Sequence, residues 1–272
     1  MQNPGVEALT KRITEIINRT SQISIDKGMA LKALLTSNII LNENDAFGST
    51  NYVIVRALLQ MVDENMMMAL GLPFCSTRQC AVVPTEDVPM CVKVGDLHVI
   101  LLKTRDNFWC QWVYQFAHEY CHHLIDGSLS GEWSDMLWLE ETICELSSLY
   151  NLNGMIRFCT MNGLQWYAPL VDEYLNNLLI NTRNTYSLSA DGGWYKQYEE
   201  ILKRNQYQRD LYNTIAVMMY PLFIENPHLW KIILKIGDIR SWASLDDLLS
   251  HLESNTDESY CESFGKLRRI FS

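Results

Sequence analysis

The sequence predicts an α+β fold that is mainly helical, with one small sheet. Three observations predict it. Apolar residues recur at helical spacing through the first seventy residues and again across 163–254. Two β-rich runs, Met90–Val94 and Leu97–Leu102, are separated only by Gly95-Asp96, a two-residue hairpin signal. From Pro73 the texture changes from helical stripes to a proline-punctuated stretch, with Pro84 and Pro89 ahead of those runs.

In the N-terminal region, Val6, Leu9, Ile13, Ile16 and Ile17 mark one helix over 6–17. Leu31, Leu34, Leu35 and Ile39 mark a second over 27–41. A linker at 42–49 follows. Thr50 is placed to cap a third helix over 51–70, stopped by Gly71 and Pro73. The Met66-Met67-Met68 run in it reads as gap-filling packing rather than a metal box. Pro84 and Pro89 punctuate the stretch before the hairpin. Asp106 is placed to cap a long helix over 107–126, 127–131 reads as a loop, and another helix is expected over 134–150. Further on, Pro221 is expected to break a helix and Asn226-Pro227 to start one. Ser244 with Asp247 resembles a capping box for the last.

Composition narrows the function classes. Of 272 residues, 22 are Lys or Arg and 32 are Asp or Glu, a net charge of -10, which disfavours nucleic acid and anionic membranes as partners. The longest apolar run, 215–224, is about half a membrane span and contains Pro221. The N-terminus lacks the apolar core of a signal peptide, so a cytoplasmic chain is expected, with its eight cysteines as free thiols. Cys75 and Cys80 are too far apart for a zinc ribbon. A latch thiolate from this pair, holding an open metal position, is a further idea to test.

The chemistry-bearing motif is His118-Glu119-Tyr120-Cys121-His122, an H-E-x-x-H inside an expected helix. Histidines four apart lie on nearly one helix face, so both imidazoles can reach one ion, with Glu119 beside them. Trp109, Trp112, Val113, Phe116, Ala117, Tyr120 and Leu124 form an apolar face, and Gln111, Gln115, His118 and His122 a neighbouring polar stripe. Without further ligands this would read as a hydrogen-bonded histidine pair on a packed helix. A catalytic zinc takes three protein ligands and keeps one position open. A third ligand is therefore sought on a later helix, and the segment LWLEETICE offers Glu141, with eighteen residues between it and His122.

HEYCH, eighteen residues, then Glu141 in LWLEETICE resembles the glutamate zincins. It is closest to the zinc aminopeptidase pattern and similar to the thermolysin-like branch, over about residues 90–150. The resemblance implies that His118, His122 and Glu141 bind Zn2+ and that Glu119 is the general base. It implies that Glu145, one turn after Glu141, holds the free N–H of a ligand histidine. Glu140, about 100° around the helix, reads as a surface charge. The family's substrate-pairing edge strand would correspond to Leu97–Leu102. No G-x-M-E-N-like segment precedes the motif, so endopeptidase or narrow processing activity is expected at least as much as aminopeptidase activity.

Three regions result, as one domain or several: helical 1–72, a zincin-like core 73–162 and helical 163–272. The function expected is a zinc-dependent peptidase acting on a peptide or protein. The alternative is a non-catalytic helical binding or regulatory protein with a structural or degenerate metal site. Tyr150, Tyr212, Tyr220 and His228 are the candidates for steadying an oxyanion, none of them in a motif. Cys121, His123, His98 and His251 read as structural.

Overall fold

A computed structural model describes residues 38–73, 77–126, 135–183, 185–189, 192–205, 208–232, 236, 244–254 and 260–271. The helix expected over 6–17, most of that over 27–41, the 127–131 loop and Cys75 lie outside these residues. The chain is mainly helical with a four-stranded sheet, as the sequence predicts. Among the described residues no helix is long and apolar enough to cross a membrane.

The sheet is built from β1 (Ile39–Leu41), β2 (Cys80–Pro84), β3 (Met90–Val94) and β4 (Leu97–Leu102), in the order β1-β2-β4-β3. The β3–β4 hairpin forms where expected, with Gly95 at φ 61°, a conformation that favours glycine. Three expectations change. Residues 39–41, read as the end of a helix, form β1 and pair with β2 in parallel, Ile40 opposite Ala81. A short Ile-Ile-Leu run takes whichever structure its neighbours offer, and here a sheet edge is available. β2 is a strand the hairpin pattern did not reveal. The third change concerns β4, which is interior, between β2 and β3. Its Val99, Ile100, Leu101 and Leu102 are buried on both faces, as a strand with neighbours on either side requires. β3 is an edge strand, partly exposed, with Lys93 its most exposed residue.

Helix α1 (Tyr52–Leu70) ends at Gly71 as expected, with φ 68° and Leu72 N–H bonded to the Met67 carbonyl. Its cap is Asn51 rather than Thr50: the Asn51 side chain accepts from Ile54 N–H, while the Thr50 hydroxyl donates to the Phe47 carbonyl. Met66 and Met67 are core, and Met68 is exposed. Helix α2 (Trp109–Ile125) starts without the expected Asp106 cap. Asp106 sits in a left-handed conformation and accepts from Ser49 N–H at 2.6 Å, pinning the loop before α1. Helix α3 (Leu137–Met161) runs eleven residues past the expected end at Tyr150. Asn151 and Gly154 are weak helix formers, yet both are buried within it and Asn151 donates back to the Ser147 carbonyl.

Helices α4 (Ala168–Arg183), α5 (Tyr195–Arg204) and α6 (Arg209–Glu225) follow. Pro221 lies inside α6 and does not end it. Buried Ile215, Met219, Leu222 and Phe223 hold the helix through the missing N–H. Pro227 opens a 3₁₀ turn, Pro227–Ile232. Ser244 caps α7 (Leu245–Ser254), accepting from Asp247 N–H and donating to its carboxylate. Helix α8 (Cys261–Phe271) ends the description.

The α2–α3 pair is the centre of the core. Its seam is made of small side chains, Ala117 and Cys121 facing Cys144, Ser147 and Ser148. Ser147 donates to the Ala117 carbonyl at 2.9 Å and Ser148 to the Tyr114 carbonyl at 2.8 Å. Small residues let two helices approach closely, and each hydroxyl satisfies itself across the seam. The sheet face carrying Cys80, Val82, Ile100 and Leu102 joins the same core. Cys144 is fully buried at this seam. Cys144→Leu is expected to push α3 off α2 and cost about 1–3 kcal/mol in urea unfolding, the range for an overpacked core.

Candidate metal centre

Close packing of α2 on α3 sets two turns of each helix face to face. His118 and His122 point from α2, and Glu140, Glu141 and Glu145 from α3. One ligand atom from each of His118, His122 and Glu141 lies within 4.8 Å of the others. His118 Nε2 is 3.4 Å from Glu141 Oε2, and His122 Nε2 is 3.6 Å from Glu141 Oε1. The three side chains are partly open to solvent, Glu141 most of all at 28%. The ligand residues expected from the spacing are therefore brought together, with access from outside.

Each imidazole has its own carboxylate behind it. His122 Nδ1 bonds Glu140 Oε1 at 2.7 Å. His118 Nδ1 lies 3.7 Å from Glu145 Oε2, and Glu145 in turn accepts from the Tyr114 hydroxyl at 2.7 Å. Glu145 sits where the resemblance put it. Glu140 does not: it is 1% exposed, not a surface charge. The helical phase of about 100° between Glu140 and Glu141 suffices for one to face the cleft and the other to reach behind His122. An acidic pair in an otherwise apolar stretch, LWLEE, was the available signal.

This donor set fits a divalent cation. Both Nε2 atoms converge with a carboxylate, both Nδ1 atoms are directed at carboxylates, and three protein ligands leave a position open. Electrostatics agree. Burial acts against charge on His118, but bonds to Glu141 and Glu145 outweigh it and hold its pKa well above the usual imidazole range. Burial also opposes charge on His122, and Glu141 with Glu140 pushes it up to about 9. Glu141, despite burial, is held down at about 2 by the two histidines. The pocket is thus arranged for positive charge, which protons supply when no metal is bound.

Glu119 is 6% exposed and lies beside the histidines. Burial raises its pKa, partly offset by His118 and His122, and it accepts a hydrogen bond from the Cys91 backbone N–H of edge strand β3. Strand β3, not β4, therefore lines the centre.

The remaining candidates separate. His123 turns to the sheet, its Nδ1 2.8 Å from His98 Nδ1, with His98 Nε2 3.1 Å from Asp126. Cys80 is buried in β2 and not part of the cluster. Cys121 is fully buried at the helix seam. Tyr150 packs on Trp230 and His228 on Tyr260, while the charges that act on Tyr220 are Arg157 and Asp172. Tyr212 of α6 is different: burial and the nearby Glu141 push its hydroxyl up to about 12, and Arg209 donates to it. Arg209 and Tyr114 were not singled out from the sequence, since neither sits in a motif.

No family model matches the chain, and no curated protein matches it.

Two outcomes follow for this centre. Glu140→Ala leaves the His122 Nδ1 unheld and is expected to weaken divalent-metal binding about 10–100-fold in a chelator competition, with Glu140→Gln milder. The second concerns pH. A histidine raised from 6.5 to about 9 stabilises the fold fully below pH 6.5 and loses that contribution as pH rises through 9. Glu141, lowered from 4.5 to about 2, contributes above pH 4.5 and loses its share as pH falls through 2. In chelator, the thermal midpoint is expected to fall between pH 6.5 and 9. A His118→Asn, His122→Asn double variant is expected to lose that slope.

Proposed function

We propose that the protein is a zinc-dependent peptidase of the glutamate-zincin type. The observation that carries this is the convergence of His118, His122 and Glu141 with a buried glutamate, Glu119, next to both histidines. A site that only stabilised the fold would have no use for a fourth, non-ligating carboxylate at that position. Two imidazoles and a carboxylate suit zinc, and such an ion, with a position open, acidifies a water and polarises a carbonyl.

The chain's own groups supply the rest. Glu119, its pKa raised by burial, is placed to take a proton from water and return it to the leaving amine. Glu140 and Glu145 would hold the Nδ1 side of each imidazole, leaving both Nε2 atoms facing Glu141 and free to hold the metal. The half-exposed edge of β3 offers main-chain groups to an extended peptide, next to the strand residue that bonds Glu119. This is why a peptide or protein is the substrate class we favour.

Protein purified without added metal is expected to carry about one zinc per chain. On a mixed peptide library Glu119→Gln is expected to keep the zinc and lose about 10²–10⁴-fold in cleavage rate. Zinc retained with no Glu119-dependent cleavage would instead support a structural metal site in a binding protein.

A further inference from the structure

Arg209 is the first residue of α6 and is exposed to solvent. Its helix packs along α3, and Tyr212, one turn on, is buried beside Glu141 and Glu145. The guanidinium donates to the Tyr212 hydroxyl, and its charge acts on Glu141 and Tyr114. The carboxylate that acts on it is Glu141, through charge, in a centre rich in carboxylates.

Glu140 is taken by His122, Glu145 by Tyr114 and His118, and Glu141 by the two imidazoles. One phenol oxygen cannot satisfy a guanidinium, which carries five N–H donors in a fork shaped for a carboxylate. Arg209 is exposed and its charge acts on the ligand Glu141, which puts it at the margin of the metal centre. In a chain of net charge -10 the general field repels acidic ligands, so such a cation is a local exception.

We propose that Arg209 is a specificity-determining residue that receives a carboxylate of the bound peptide. This rests on the peptidase reading above and narrows its substrates to peptides bearing a carboxylate close to the cleaved bond. Two sources share that chemistry, the C-terminal carboxylate of a short peptide and an Asp or Glu side chain. Arginine fits both by the same two parallel hydrogen bonds.

The test uses the full-length, zinc-loaded protein with Glu119→Gln, so that peptides bind without being cleaved. Three dye-labelled mixed-sequence pools are titrated by fluorescence polarisation. One has free C-terminal carboxylates and no acidic side chains, one is amidated and contains Asp and Glu, and one is amidated with Asn and Gln in their place. The expected result is about tenfold tighter binding of one or both carboxylate pools than of the neutral pool, the scale of a charge-assisted hydrogen bond. Which pool gains identifies the source. Adding Arg209→Gln should abolish the preference while leaving neutral peptides bound, and Arg209→Lys should retain part of it. If Arg209 only balances Glu141 or positions Tyr212, Arg209→Gln changes zinc affinity or all three pools alike, and the proposal falls while the peptidase reading stands. A preference that survives Arg209→Gln, as when a carboxylate binds zinc directly, also overturns it. If no pool binds, both readings fall together.

Discussion

The seam between α2 and α3 is the constraint on which the rest depends. Ala117, Cys121, Cys144, Ser147 and Ser148 are small, and the two serines give their hydroxyls to α2 carbonyls. That closeness sets Glu141 between His118 and His122, and it also sets Glu140 and Glu145 behind the two imidazoles. Larger residues would separate the helices by an ångström or more, and a metal site tolerates little of that. The core around this seam therefore does more than stabilise. It fixes distances that neither helix could fix alone.

The charge balance follows from the same geometry. Four glutamates gather around two histidines in a largely buried place, which is costly unless positive charge is present. Without a metal, the surrounding carboxylates favour protonated imidazoles and hold both pKa values up. A divalent cation would replace those protons, so affinity and pH are linked through the same side chains. Arg209 adds charge from a third element, α6.

The sheet has a narrower task. Its interior strand β4 is buried on both faces, while β3 brings Cys91 N–H to Glu119 and, among the described residues, pairs on one side only. The strand that lines the centre is thus the more polar one. Lys93 in β3, against the apolar run Val99–Leu102 of β4, was a sequence sign of which strand would be the edge.

How much was legible follows from the range of each interaction. The fold class, the hairpin, the ends of α1 and the His118–His122 pair came from local pattern, because helical phase and turn chemistry act over a few residues. Glu141 and Glu145 were legible through the resemblance to the glutamate zincins, which HEYCH, the eighteen intervening residues and LWLEETICE carry. Strand order, the extension of α3 past Tyr150 and the persistence of α6 through Pro221 were settled by burial against distant elements, which local propensity does not register. The same holds for the site. Whether Glu140 faced water or His122, and whether Tyr212 and Arg209 reached the centre at all, depended on how helices far apart in sequence pack, and only the tertiary structure decided it.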